Sequence, residues 1–138
     1  MRRRVPRRVL LRVRHIDKFV PRAENEWPLK RTQWTKLYLD PVGGTLSPAK
    51  PAKKTELSFE AMGDGVTFMT PPLPAETEIT GPSALKLFAS SSTSDADIFI
   101  VLRVFTGDLK EIVFQGAIDP HTPIGQGWLR ASHPKLDK

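Results

Sequence analysis

The stretch DIFIVLRVF, from Asp97 to Phe105, decides the fold class that we predict for this chain. Its residues are apolar on both faces until Arg103, which is typical of a central β-strand covered on both sides. Other short apolar runs, separated by Gly and Pro turns, extend from VLLRVRH at 9–15 to GWLRAS at 127–132. About seven or eight such strands without a helical stretch predict an all-β sandwich, and the long gaps between some strands favour jelly-roll-like connections.

The other predicted elements follow from alternation and from turn residues. Strands are predicted over 34–40, 55–60, 66–70, 77–91 and 111–116, and a long surface loop over 41–54, where Gly-Gly and three prolines interrupt any pattern. The Gly63–Gly65 segment predicts a tight turn. Gly81-Pro82 interrupts the longest predicted strand, which indicates a bulge or a switch between sheets.

Composition bounds the class of protein. The chain has 138 residues, of which 39% are hydrophobic and 26% are charged, which fits one globular domain. The absence of cysteine excludes disulfides and thiolate metal sites. No apolar run reaches the length of a membrane span, and the basic start lacks the apolar core of a signal peptide. We therefore expect a cytoplasmic protein without a membrane partner.

The positive charge is concentrated at the start of the chain. Residues 1–36 hold twelve Lys and Arg against three acids, whereas the remaining residues sum to a net charge of −3, within a total of +6. Such a block can bind nucleic acid, but no matching basic face follows it, so we do not favour a nucleic-acid partner. We predict that 1–8 form a basic, disordered arm and that 9–138 form the β-sandwich domain.

The residues predict no catalytic, cofactor-binding or metal-binding site. No G-x-S-x-G nucleophile elbow occurs in the sequence. His121 has Asp119 nearby, but no second ligand at a suitable spacing, so a loop histidine is the preferred interpretation. Asp95 and Asp97 precede an apolar strand and are interpreted as a turn that hydrogen-bonds its own backbone rather than as a catalytic pair. The aromatic residues are predicted to be mostly core.

Several segments together resemble a known family. They are VLLRVRHIDKFVPRAENEWPL, TKLYLD, TEITGPSALKLFASSSTSDADIFIVLRVF and FQGAIDPHTPIGQGWLRASHPKLD. In this order they closely resemble the C-terminal β domain of the serine hydrolases grouped as the X-prolyl dipeptidyl peptidase and cocaine esterase family, from about Val9 to the end. The most specific residues are Trp27 and Pro28, Gly81 in ITGP, Asp97, and Trp128 in GWLRASH.

The resemblance implies a fold and a partner. It implies a galactose-binding-like jelly-roll that packs in cis on an α/β-hydrolase domain, which holds the catalytic triad, so this chain is expected not to be an enzyme by itself. It also implies that Trp27 anchors the sandwich and that Trp34 starts a strand, although both can equally be core residues. The loop from Ala61 to Gly65 and the strand with Phe68 are expected to line the substrate cleft.

Two further expectations concern the sheet edges and an alternative function. The family domain continues into more strands after the HPKLDK end, so we expect an incomplete sandwich. Its unpaired sheet edges are expected either to pair with another copy of the chain or to be closed by a different arrangement of its own sheet. The alternative function is a stand-alone module that binds carbohydrate or another ligand through exposed Trp27 or Trp128. Glycan binding that stays intact after an alanine change at either position would remove this alternative.

Overall fold

The fold is all-β. A computed structural model describes residues 9–116 and 118–133, so the predicted basic arm at 1–8 lies outside the described residues. Within the described part every regular element is a strand. The same residues contain no helix that is long and apolar enough to cross a membrane. The strands are β1 (Val9–His15), β2 (Lys18–Glu24), β3 (Tyr38–Asp40), β4 (Thr45–Ser47), β5 (Asp97–Leu102), β6 (Val104–Phe105), β7 (Glu111–Ile112) and β8 (Gly125–Arg130).

The strands form small sheets of two strands each. The pairs are β1 with β2, β3 with β4, β5 with β8, and β6 with β7. Three of these pairs connect neighbouring strands, whereas β5 and β8 meet across a long stretch of sequence. Small antiparallel sheets without a helix agree with the predicted all-β class and with an incomplete β-sandwich.

The chain divides into two compact units. Among the described residues, unit 1 contains 9–11 and 21–82, and unit 2 contains 12–20, 83–116 and 118–133. The β1–β2 hairpin contributes its ends to unit 1 and its tip to unit 2. The candidate residues Trp27, Pro28, Phe68 and Gly81 therefore belong to unit 1, and Asp97 and Trp128 belong to unit 2.

Unit 1 contains a hairpin whose second strand lies in the predicted loop 41–54. β3 and β4 pair antiparallel, with Leu39 opposite Leu46. The chain reverses because the Asp40 carboxylate accepts the Val42 N–H at 3.0 Å, and because Gly44 adopts a φ of 60°. Part of the predicted 41–54 loop is thus a strand, since the glycines and Pro41 shape the turn and leave Thr45–Ser47 free to pair.

Unit 2 is organised by β5 and β8. They pair antiparallel, with Asp97 opposite Arg130, Phe99 opposite Trp128 and Leu102 opposite Gly125. The predicted strand 97–105 is interrupted at Arg103 and resumes as β6, which pairs with β7. The turn between β6 and β7 is closed by the Thr106 N–H, which donates to the Lys110 carbonyl at 2.9 Å.

Four predicted strands are wrong in whole or in part. The segments 55–60 and 77–91 form no strand, and 66–70 contributes only the bridge between Met69 and Thr45. The predicted strand at 34–40 shortens to Tyr38–Asp40, so Trp34 does not start a strand. Alternation marks a segment that can be a strand, but a strand also needs hydrogen-bonding partners on a neighbouring chain segment.

The prediction of a buried aromatic core is also wrong. Among the described residues only Leu29 is a buried hydrophobic residue, at 7% exposure. Phe99 and Val101 of β5 are 74% and 53% exposed, although this strand was expected to be covered on both faces. A two-stranded sheet has no second layer to cover its faces, so residues that alternate correctly still meet solvent.

Candidate functional site

Two of the predicted family motifs meet in unit 1. In the EWPL motif the Trp27–Pro28 peptide bond is cis, and the next residue, Leu29, is buried. The Leu29 carbonyl accepts the Thr32 N–H at 2.9 Å, which closes a turn. Gly81 of the ITGP motif lies against this turn, since a Cβ at Gly81 would stand 3.8 Å from Thr32 Cγ2. We call Trp27, Pro28, Leu29, Thr32 and Gly81 the Trp27–Gly81 cluster.

An ion-pair network connects the same two segments. Arg22 donates to both Glu78 carboxylate oxygens at 2.8 Å, and the Thr80 hydroxyl donates to Glu78 at 2.8 Å. Glu24, whose side chain is only 10% exposed, accepts one hydrogen bond from Arg31 Nη1 and one from Arg31 Nη2. The Arg22 Nε lies 2.9 Å from Glu24 Oε1, so the two pairs join. The network ties β2 to the residues just before Gly81 and was not predicted from the sequence.

The network lowers the pKa of its carboxyl groups. Hydrogen bonds from Arg22, and then from Thr80, lower the pKa of Glu78 to about 2. The hydrogen bond from Arg31 is the largest cause that lowers the pKa of Glu24. Both groups are therefore carboxylates that accept hydrogen bonds from cations, and neither is poised as a proton donor near neutral pH.

Acid should weaken unit 1 through Glu78. Because the folded pKa is about 2, below the ordinary value of 4.5, the ionised pair stabilises the fold above pH 4.5. This contribution is lost as the pH falls from 4.5 through about 2. We expect the melting temperature of Glu78→Gln to fall less between these pH values than that of the wild type, by circular dichroism. In Glu56→Gln, the matched control, the melting temperature should fall with pH as it does in the wild type. The prediction would be contradicted if the melting temperature of Glu78→Gln fell as steeply with pH as that of the wild type.

The predicted cleft loop is exposed and has a defined base. Met62 at its tip is 99% exposed, and the Gly63 N–H donates to the Glu60 carbonyl at 2.9 Å. Phe68 is half-buried, and the following Met69 exchanges hydrogen bonds of 2.9 Å with two residues of the β3–β4 hairpin, Gly44 and Leu46. The loop therefore presents a flexible apolar side chain from an anchored segment.

The other two predicted residues lie on one face of the β5–β8 sheet. Asp97 and Arg130 are opposite each other and form a bidentate pair, with Arg130 Nε and Nη2 donating at 2.8 and 2.9 Å. This pairing lowers the pKa of Asp97. Next to it lie Trp128 and Phe99, which are 73% and 74% exposed. An open depression of about 450 Å³ is lined by Asp97, Phe99, Trp128, Leu129, Arg130 and His133.

Asp95 fixes the end of this sheet. Its carboxylate accepts the N–H groups of Ala96 and Ser132 at 2.9 and 3.0 Å, and the Ser132 hydroxyl donates to it at 2.6 Å. These bonds, with the Ser132 hydroxyl as the largest cause, lower the pKa of Asp95. The interpretation of this aspartate as a turn residue that bonds its own backbone is confirmed by the Ala96 contact. The sequence did not predict that Asp95 also reaches Ser132.

The family follows from a comparison that covers nearly the whole chain. The family model for the X-Pro dipeptidyl-peptidase C-terminal non-catalytic domain matches residues 6–138. The chain belongs to this family. No curated protein and no solved structure was found to match it. The prediction that the chain is a non-catalytic C-terminal domain is thus confirmed, and the expectation of no enzyme activity by itself agrees with the family description.

The histidines of the chain offer no metal centre within 9–116 and 118–133. No three His, Asp or Glu side chains come together there as ligands would. His121 meets Asp119 only through its backbone N–H, which donates to the carboxylate at 2.8 Å. This is a turn that bonds its own backbone, as the preferred interpretation of a loop histidine implies.

One cluster in unit 2 was not predicted from the sequence. The Arg14 guanidinium carbon lies 4.7 Å from the ring centre of Phe114 and 5.6 Å from that of Phe19. Arg14 also donates to the Val113 and Ile16 carbonyls. The side chain thus joins the tip of the β1–β2 hairpin to the segment after β7 by cation–π contact and hydrogen bonds. Alternation placed Arg14 on the polar face and gave no sign of this contact.

Proposed function

We propose that this chain serves as the non-catalytic partner of an α/β-hydrolase domain of the X-prolyl dipeptidyl-peptidase type and shapes its substrate cleft. The observation that carries the proposal is the exposure of large apolar side chains. Phe88, Trp34 and Phe59 are 96%, 66% and 59% exposed, and the β5–β8 face adds Phe99 and Trp128. Each of the two units thus exposes large apolar side chains, which supports the binding of another protein.

The loop from Ala61 to Gly65 is the segment that we assign to the cleft. Met62 is 99% exposed, so its side chain is available to a substrate or to the wall of a neighbouring domain. The hydrogen bonds of Met69 to Gly44 and Leu46 hold the following segment in place. Phe68 lies between the loop and this anchor, half-buried, and therefore supports the position of the loop rather than offering a full binding surface.

The test is complementation in trans. An X-prolyl dipeptidyl peptidase whose own C-terminal domain has been deleted is mixed with the purified chain, and complex formation is measured by light scattering after size exclusion. Hydrolysis of a chromogenic Xaa-Pro substrate gives kcat and KM. We expect a stable complex, and we expect Met62→Ala to raise KM several-fold while the complex still forms.

A matched control separates the loop from general surface effects. Ile118, which is 98% exposed and belongs to unit 2, is replaced in Ile118→Ala. This control should leave both complex formation and KM unchanged. Absence of any complex at micromolar concentrations would refute the proposed partner. A complex in which Met62→Ala and Ile118→Ala have the same KM would refute the role of the loop.

The alternative of a ligand-binding module stays a prediction. The depression beside Trp128 supports it, because an exposed aromatic ring next to paired charged groups is a suitable surface for a sugar ring. Trp27, the other candidate, is less exposed, at 47%. The hydrolase partner is preferred, because the exposed apolar residues extend well beyond the surroundings of these two tryptophans.

A further inference from the structure

One edge of β5 is unpaired in the described part of the chain. The Ala96 carbonyl accepts the Ala131 N–H at 2.8 Å, so the backbone groups of Ala96 point toward β8. Backbone groups of successive residues in a strand point to opposite edges. Those of Ile98 and Ile100 therefore also point toward β8, whereas those of Phe99 and Val101 point away from it.

The other strands of unit 2 leave this edge open. β6 and β7 pair with each other, and neither of them pairs with β5. No described strand other than β8 pairs with β5. Phe99 and Val101 therefore present backbone donors and acceptors at an edge to which a further strand can add.

The sequence of this edge is complementary to itself. It reads Asp97-Ile-Phe-Ile-Val-Leu-Arg103, with an acid at one end, a base at the other and apolar residues between them. When two copies are placed antiparallel with Ile100 opposite Ile100, Asp97 faces Arg103 of the second copy. In the same register Phe99 faces Val101 of the second copy, which is a favourable aromatic and β-branched pair.

The direction in which the backbone groups point agrees with this register. The residues that face each other at hydrogen-bonded positions, Phe99 and Val101 of the second copy, both have backbone groups that point to the open edge. A shift by two residues keeps the same backbone groups at the hydrogen-bonded positions. It places Asp97 opposite an apolar residue of the second copy, so the charge match is lost. One register thus satisfies both the hydrogen bonds and the charges.

Existing ion pairs extend the charge match. Asp97 already pairs with Arg130, and Arg103 donates to Glu111 with Nε at 2.9 Å. Across the two copies these side chains form a row of alternating sign: Arg130, Asp97, then Arg103 and Glu111 of the second copy. We propose that β5 is a homodimerisation edge, at which two copies of this chain pair antiparallel about a two-fold axis at Ile100. This inference does not depend on the proposed hydrolase partner.

The first measurement is the mass of the full chain in solution. We expect roughly twice the monomer mass of 15.5 kDa by light scattering. Hydrogen exchange should show that the Phe99 and Val101 amides are protected in the dimer. A wild-type monomer would overturn the proposal. So would protection of these amides in a monomer, which would mean that another segment of the same chain covers the edge.

A charge exchange tests the register. Asp97→Lys places two bases opposite each other in its own homodimer, and Arg103→Asp places two acids opposite each other. Each variant alone should self-associate at least tenfold more weakly than the wild type. A mixture of the two restores both opposite-charge contacts, so a heterodimer should form, detected by native mass spectrometry. A wild-type dimer whose variants associate as tightly as the wild type, or do not pair when mixed, would overturn the β5 register.

A backbone variant removes the dependence on side-chain charge. Val101→Pro deletes an N–H that points to the open edge and leaves the bonds to β8 in place. Val101→Thr is the matched control, since it keeps this N–H and the β-branched shape. We expect a monomer with an unchanged circular dichroism spectrum for the proline variant and a dimer for the threonine variant. A proline variant that keeps this spectrum and still dimerises would overturn the proposal.

Discussion

Leu29→Ala is expected to lower the free energy of unfolding by about 2 to 3 kcal/mol. Leu29 is the buried hydrophobic residue of the described chain, and it lies at the turn where the Trp27–Gly81 cluster closes. Its removal deletes apolar burial and leaves a cavity. We place the loss at the lower end of the usual range because a shallow depression beside Leu29 lets neighbouring side chains relax. Urea denaturation at fixed protein concentration measures the change.

An exposed leucine of the same unit supplies the control. Leu73 is 56% exposed, so Leu73→Ala removes the same atoms from a side chain that already meets solvent. Its free energy of unfolding should stay within about 0.5 kcal/mol of the wild type. Equal effects of the two substitutions would mean that Leu29 is not the centre of packing in unit 1.

Gly81→Ala is expected to cost about 1 to 3 kcal/mol through its backbone. Gly81 has a φ of 147°, a conformation that residues with a side chain rarely adopt. Space is available, because the nearest side-chain atom to an added Cβ, Thr32 Cγ2, is 3.8 Å away. The cost therefore reports on the conformation of the chain and not on a clash, which gives a physical reason for glycine in the ITGP motif.

The control for this substitution is another glycine without such a backbone. Gly107 has no positive φ, and an added Cβ there meets nothing within 4 Å. Gly107→Ala should leave the free energy of unfolding unchanged or raise it by about 0.4 to 1 kcal/mol, because alanine restricts the unfolded chain. Thermal and urea unfolding should therefore show a loss of stability for Gly81→Ala and no loss for Gly107→Ala. A stabilised Gly81→Ala would contradict the assigned strain.

The sequence predicted strands well where the apolar pattern coincides with a partner strand. β1 occupies the predicted residues 9–15, and β5 begins at Asp97 as expected. β2 was missed, since Pro21 and its charged residues hide the alternation, although an edge strand tolerates proline. The segment 77–91 alternates well but does not pair. Alternation is a local property, whereas pairing depends on segments far along the chain, and a single sequence contains little information about them.

The candidate residues were predicted one by one, and their grouping was not. Trp27 and Gly81 were singled out from separate motifs, and the structure brings them to one turn in unit 1. The contacts that organise these groups, such as Arg22 with Glu78 and Asp97 with Arg130, join residues 56 and 33 positions apart. Charged residues at such separations have many possible partners, so spacing alone could not select them. The functional roles of the candidate residues stay predictions.

Because few side chains are buried in the described segments, the free energy of unfolding depends strongly on molecules that bind the folded chain. A chain that keeps Leu29 as its buried hydrophobic residue within the described segments gains little free energy from its own core. Any species that binds only the folded form then adds to that free energy by mass action, in proportion to the logarithm of its concentration. For the proposed homodimer, dilution is therefore expected to lower the free energy of unfolding.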